Sequence, residues 1–268
     1  MGRQIIALLT DFGMKDPYVS AMKAVIKSIN PNVDIIDISH DVESFNIFQA
    51  SFVLVGVAKF FPRGVVFVVV VDPGVGTSRR ALVARTCADR VYVAPDNGVL
   101  TLVMDREGLC EAYEITNENF MLKPVSKTFH GRDVFAPVAA YITLGVPLSF
   151  FGRKLGASDI KRIKVFKPKY MAREVIGSLI HFDKFGNAIT NIEADMVEWL
   201  DIGDQVKVII DDELRLSVKY VESFGYVGEG ETALIKDSFG LLELVVNKGS
   251  AKDKYGLKLG SKIVMSKV

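Results

Sequence analysis

The chain has 268 residues, 49% of them hydrophobic, and its 33 basic and 32 acidic side chains leave a formal charge of +1. With no Lys/Arg cluster dominating any segment, the balance argues against nucleic acid or another polyanion as partner, and a small-molecule ligand is expected. The apolar run Ile5 to Leu9 is too short for a signal-sequence core or a membrane span, so no membrane association and a cytoplasmic location are expected.

Residues 1–165 alternate strand and helix patterns. Ile5 to Leu9 reads as a strand, and Asp16-Pro17 then offers an N-cap and a first-turn proline for a helix with Val19, Met22, Ile26 and Ile29 on one face. VDIIDIS (33–39) is a second strand, and Asn46 to Phe61 a second helix ending at Pro62-Arg63-Gly64. VVFVVVV (65–71) is a wholly apolar run of the kind found in a strand buried on both faces of a parallel sheet. ALVAR (81–85) looks like another strand, and RVYVAPDNG (90–98) is a strand closed by a Pro-Asp-Asn-Gly turn. Cys87 and Cys110 share no metal or redox spacing and read as two buried thiols. The alternation predicts an α/β domain with a mainly parallel sheet and helices on both faces.

The pattern changes beyond the basic segment KRIKVFKPKYMARE (161–174), which reads as a linker. In 172–268, EVIGSLIHF, QVKVII, LRLSVKYV, TALIK, LLELVV and SKIVMSKV are short strands separated by Gly, Asp and Asn, which predicts a smaller all-β domain, a barrel or sandwich.

Ligands of open α/β sheets bind beyond the carboxyl ends of the strands, which points to three loops: TDFG (10–13), DPGVGTSRR (72–80) and APDNG (94–98). Gly74-Val75-Gly76 after a strand suggests a dinucleotide fingerprint, but Arg79 replaces the third glycine, no helix pattern follows, and the lysine of a P-loop is missing. TFHGRDVFAPVAA (128–140) sets His130 and Arg132 beside a glycine just before a helical stretch, where backbone N–H groups and ionisable side chains can face a ligand together. The other histidines, His40 and His181, read as structural. In the β part, HFDKFGNAITNI (181–192) gathers Asp183, Phe185 and Asn187 around one glycine. Asn187 could read a purine edge and Phe185 stack on its ring, though an Asx turn between strands is the plainer reading.

TDFG, DPGVGTSRR, APDNG, TFHGRD, DKFGNAITNI and DSFGLLELVVNKGSA follow one another in an order that resembles the S-adenosylmethionine hydroxide adenosyltransferases, relatives of enzymes that fluorinate or chlorinate the same substrate. The resemblance implies that water attacks the 5′ carbon of S-adenosylmethionine to give adenosine and L-methionine. It places catalysis on Asp72, Arg79 and His130, and the ribose hydroxyls on Asp11. Adenine falls to Asn187 and the backbone near Val246, and the methionine end to Asp183, Ser238 and Glu243. A homotrimer with sites between subunits is also implied. In the halogenating relatives the position of Asp72 is not acidic, that of His130 is aromatic, and an insertion after Arg80 is absent from this chain; all three differences favour hydrolysis.

The residue types suit that chemistry. A neutral thioether leaves a sulfonium without a general acid, so the task is to hold a water in line and handle its proton, with no cofactor required. Two other readings share the residues: a halide-dependent adenosyl transferase, against which Asp72 argues, and a non-catalytic adenosine or S-adenosylmethionine binder.

Overall fold

The computed structural model describes residues 4–268 and divides into two compact units, between Ile163 and Lys164. The segment read as a linker spans that division. In the first unit the chain runs β1 (Ile5–Thr10), α1 (Tyr18–Ile29), β2 (Asp34–Ser39), α2 (Ile47–Ala58), β3 (Val66–Val70), β4 (Ala81–Thr86), β5 (Val91–Pro95), α3 (Thr101–Glu107), β6 (Leu109–Glu114), α4 (Ala136–Thr143) and β7 (Lys154–Leu155). Its sheet has the order β2-β1-β3-β5-β4-β6-β7. The half that carries the candidate loops, β2-β1-β3-β5, is parallel, and β4, β6 and β7 continue it antiparallel.

The apolar run around β3 explains the two-layer cover. Val66, Val68 and Val70 enter one core with Met22 and Ile26 of α1 and Val138 of α4, while Val65, Phe67, Val69 and Val71 enter a second with Ala50 and Leu54 of α2. Alternate side chains of a strand point to opposite faces, so a strand buried on both must be apolar at every position.

Three local expectations need correcting. Pro17, not Asp16, stands at the cap of α1, and no side chain caps that helix; Pro17 has no N–H to satisfy, and its carbonyl accepts from Ala21 N at 2.9 Å. The second helix ends at Ala58 rather than Phe61, with Asn46 accepting from Gln49 N as its N-cap. Cys87 and Cys110 are not buried thiols: both are exposed and they are joined in a disulfide between the end of β4 and the start of β6.

The second unit contains β8 (Lys169–Tyr170), β9 (Glu174–Phe182), β10 (Ala188–Glu193), β11 (Gln205–Ile210), β12 (Leu214–Tyr220), β13 (Thr232–Lys236), β14 (Leu241–Val246), α5 (Ala251–Tyr255) and β15 (Lys262–Lys267). Strands pair in the order β10-β14-β13-β12-β11-β15-β9, and β9 pairs back onto β10, closing a seven-stranded barrel; β8 lies against the first half of β9. Val175, Leu179, Val208, Leu234, Leu242, Leu244 and Met265 fill its interior. No helix of the described residues is long and apolar enough to cross a membrane.

Candidate functional site

At the carboxyl ends of the parallel strands, a cavity of ≈ 270 Å³ is walled by Asp11, Tyr18, Phe45, Asp72, Phe129 and His130, among others. Asp72 follows β3 after a single buried residue, Val71, so the buried strand fixes where its carboxylate starts. The loop after it turns on Gly76, whose φ is +74°, and a Cβ there would lie 2.1 Å from the Lys127 carbonyl oxygen. Only glycine lets this loop pack against the segment that leads to His130.

Arg79 returns from that loop and locks Asp72: Nε donates to Oδ1 at 3.0 Å and Nη2 donates to Oδ2. Both side chains are 5% exposed. Nη2 also lies 3.0 Å from His130 Nδ1. A guanidinium can only donate, so Nδ1 must accept, and the neutral imidazole carries its hydrogen on Nε2. Burial and then the Arg79 charge hold the His130 pKa below its ordinary value, against weaker opposing pulls from Asp72 and Asp133. Arg79 is not itself among the residues that wall the cavity; it lies behind Asp72 and His130, with its guanidinium 5.5 Å from the Phe135 ring, and its Nη1 is buried without a hydrogen-bond partner.

His130 stands at the start of a π-helical turn, Gly131–Phe135, that leads into α4. Such turns concentrate at functional sites. Asp133, fully buried, accepts from Ser126 N at 2.8 Å and pairs with Arg132 Nε at 2.6 Å, while Arg132 covers the Phe129 ring. Arg132 is thereby occupied in holding the loop.

Asp11 accepts from Phe45 N at 2.9 Å, and its carboxyl is pushed up, mainly by burial. Phe45 has φ +68°, an uncommon conformation for a bulky residue and one met at sites whose surroundings enforce it. Phe12, Tyr18 and Phe129 form an aromatic trio with centroids 5.2 to 5.8 Å apart. The APDNG loop does not reach this cavity. Asp96 is consumed by Arg80 at 2.6 Å and Lys161 N at 2.8 Å, and Asn97 donates to the Val71 carbonyl.

The second unit has two cavities that share Phe185, Asn187 and Phe224 in their walls. One, of ≈ 520 Å³, adds Val246 and the backbone turn Asn247 to Ser250. Phe185 and Phe224, 72% and 43% exposed, offer it aromatic faces. The other, of ≈ 400 Å³, is walled by Asp183, Glu222, Asp237, Ser238 and Glu243. The Asx turn is real: Asp183 Oδ1 accepts from Phe185 N and Asn187 N, and Oδ2 accepts from Asn187 Nδ2, each at 2.9 Å. One of the two Asn187 amide donors is therefore spent on Asp183, which leaves its Oδ1 and the second hydrogen for a ligand. His40 is the structural residue expected, buried with Nδ1 2.8 Å from the Thr10 hydroxyl. Burial lowers the His181 pKa, and His181 does not line either cavity.

Tyr18, Phe45 and Phe224 belong to these walls and were not singled out from sequence. Phe224 carried a signal in Phe-Gly-Tyr, two aromatics about a glycine between strands. Tyr18 is hidden in a helical pattern, and nothing in Ser-Phe-Asn marks Phe45.

A carboxylate, a guanidinium and an imidazole gathered at the strand ends of an α/β sheet define an enzyme that acts on a small molecule. Models of the SAM hydroxide adenosyltransferase N-terminal and C-terminal domains match residues 6–152 and 177–264, and the chain belongs to that family. It is 35% identical to a Thermus thermophilus protein named (R)-S-adenosyl-L-methionine hydrolase, over 95% of this chain and 96% of the relative. It is 29% identical to a fluorinase of an Actinoplanes species over 99% and 98%. Among solved structures, a conserved protein of Thermotoga maritima superimposes with a TM-score of 0.93 at 44% identity, over 97% of this chain and 99% of the other.

Proposed function

We propose that the protein hydrolyses S-adenosyl-L-methionine to adenosine and L-methionine by in-line attack of water on the 5′ carbon. The observation that carries this reading is the Asp72–Arg79–His130 cluster, two members of which wall the cavity while the third fixes them from behind. The water oxygen bonds to C5′ as the C5′–S bond breaks, its electron pair stays on sulfur, and one proton is released. His130 Nε2–H donates to the water oxygen and aligns it. Asp72, whose oxygens each keep a lone pair beyond those used by Arg79, accepts the water hydrogen and passes the proton on. Arg79 positions both groups. No step needs a cofactor.

Asp11 is the acceptor for the ribose hydroxyls. Phe185, Phe224, Asn187 and the turn after Val246 take the adenine, and Asp183, Ser238 and Glu243 the methionine end. A carboxylate beside the reaction centre repels halide, which disfavours the fluorinase reaction despite that relative. Incubation in oxygen-18 water tests the reading: the 5′ oxygen of the adenosine must carry the label by mass spectrometry. Unlabelled adenosine, or a 5′-halogenated nucleoside at high halide, overturns it.

A cytoplasmic homotrimer completes the proposal. What supports the trimer is the resemblance, with candidate residues held on two separate units. Arg79→Ala and Asn187→Ala proteins, each inactive or weakly active alone, are expected to regain turnover when refolded together if different subunits serve one reaction. Mixed trimers with no such gain exclude it, and cell fractionation checks the location.

A further inference from the structure

His40 follows β2 directly, at the strand ends where the cavity of the first unit opens, yet it is not among the residues that wall that cavity. Residues three apart on a regular strand point to opposite faces. Here the pairing of β2 with β1 slips by one residue, with Leu8 facing Asp37 and Leu9 facing Ser39. Across the slip Asp37 and His40 meet: Nε2 lies 3.0 Å from Asp37 Oδ1, close though without the alignment of a full hydrogen bond. Lys23 of α1 donates to the other oxygen of Asp37 at 2.6 Å. Burial raises the Asp37 pKa, but the contacts with Lys23 and His40 outweigh it and leave the carboxyl below its ordinary value.

An ionised carboxylate only accepts, so the His40 ring carries its hydrogen on Nε2, and Nδ1 accepts from the Thr10 hydroxyl at 2.8 Å. Thr10 Oγ1 in turn accepts from Phe12 N at 3.3 Å. The His40 carbonyl accepts from Gly13 N at 2.7 Å, and Gly13 has φ +64°. One residue therefore grips TDFG at both ends, by its ring and by its backbone, and Asp11 lies between the two grips. Thr10 and His40 are both buried, so water does not replace a bond lost there. A further tie, from Phe45 N to Asp11 Oδ2 at 2.9 Å, comes from the segment that His40 begins.

Two neighbouring hydroxyls bound by one carboxylate require that carboxylate to point in a fixed direction, and a side chain on a loop gains such precision only from supporting bonds. We propose that His40 is a positioning residue for ribose recognition: its ring and carbonyl set the turn that aims the Asp11 carboxylate at the hydroxyls. The inference rests on the proposed function in taking Asp11 as the acceptor for those hydroxyls.

The test is calorimetric titration of adenosine and of 2′,3′-dideoxyadenosine into the full-length protein. The parent is expected to prefer adenosine at least about tenfold, since the dideoxy compound leaves the carboxylate without its donors, and Asp11→Asn should lose most of that preference. His40→Leu fills much of the space of the ring without its nitrogens and should bring the preference below about threefold. His40→Asn sets Oδ1 where Nδ1 stood, so it should restore the preference to within about threefold of the parent. Thr10→Val should match His40→Leu, and the double variant should lose no more than either single one, because both break the same chain of bonds. A histidine that only supports the fold would lower the melting temperature and leave the preference intact. An undiminished preference in His40→Leu therefore overturns the inference, as does a parent that shows no preference or binds neither nucleoside. Should His40→Leu fail to fold, Thr10→Val decides: loss of the preference supports the inference and its retention overturns it. Retention in Asp11→Asn as well would remove Asp11 as the acceptor. Failure of the hydrolase reading is a separate result, absence of adenosine from S-adenosyl-L-methionine, and leaves these titrations readable.

Discussion

The His130 ring is held neutral by its surroundings, and the sign of that effect can be followed to activity. Its folded pKa lies below the ordinary 6.5, so as pH falls through 6.5 an unfolded chain takes up a proton that the native ring resists. The native ring protonates only at lower pH, where an imidazolium competes with Arg79 and loses the Nδ1 acceptor. The acid limb of kcat/KM should therefore have its midpoint below pH 6.5; a midpoint above that value would place the working histidine elsewhere. Arg79→Ala should lower kcat by about a hundredfold or more, since it releases both groups that hold the water, while adenosine affinity measured by calorimetry stays unchanged. Asn187→Ala should instead weaken adenosine binding by roughly 1 to 3 kcal/mol. The opposite sign applies at Glu243, which is 5% exposed and whose folded pKa is raised, mainly by burial. The native state then holds a proton that the unfolded chain releases near its ordinary value, so stability is full below that value and is lost as pH rises toward about 8. Glu243→Gln should raise Tm by ~2 to 4 °C or more at pH 9 and leave it nearly unchanged at pH 5. Equal melting temperatures at pH 9 would show that the carboxylate is not buried as described.

At the scale of elements, the loop between β3 and β4 is constrained by one glycine more than by its charges. Gly76 and Gly64 both have positive φ, +74° and +78°, but a Cβ at Gly76 meets the Lys127 backbone whereas nothing lies within 4 Å of one at Gly64. Gly64→Ala should cost only the left-handed conformation, about 1 to 2 kcal/mol in denaturant unfolding. Gly76→Ala should cost more and also depress turnover, because the segment carrying His130 must move; equal effects of the two would remove the packing argument. Much of this was legible. VVFVVVV announced a strand buried twice over, and the polar loops announced themselves by interrupting apolar strands at the edge where α/β ligands bind. What escaped did so for physical reasons. LCEAYE of β6 is a half-exposed antiparallel strand without a β-branched run, and β10 begins immediately after the Asp-Lys-Phe-Gly-Asn turn, whose local signal masks the strand that follows. The π turn after His130 has no compositional mark. The family resemblance likewise implied that Asp72, Arg79 and His130 belong together, but not that Arg79 sits behind the other two, since that depends on how a nine-residue loop folds back.

On the scale of the molecule, the two units have separate interiors: β3 stands between two layers in the first, and a closed barrel surrounds the other. The Cys87–Cys110 disulfide lies wholly in the first, across 23 residues, and a bridge of that span stabilises by ~3 kcal/mol. Replacing both cysteines by alanine should lower the unfolding transition of the first unit in calorimetry and leave that of the barrel in place; a shift of both by the same amount would mean the units melt as one. Two thiols without motif spacing gave no sign of this bridge, because the pairing is made by β4 and β6 lying side by side in the sheet.

The return of β9 onto β10 also bears on how the protein behaves in a crowded solution. An open sheet leaves a row of unpaired N–H and C=O groups at each margin, and such margins recruit other chains into fibrils and precipitates. Here the ring of seven strands has no such margin, and the short β8, bearing Lys169, lies along β9 outside the span that pairs with β10. A unit built almost wholly of strands is thereby protected from the aggregation that its composition invites.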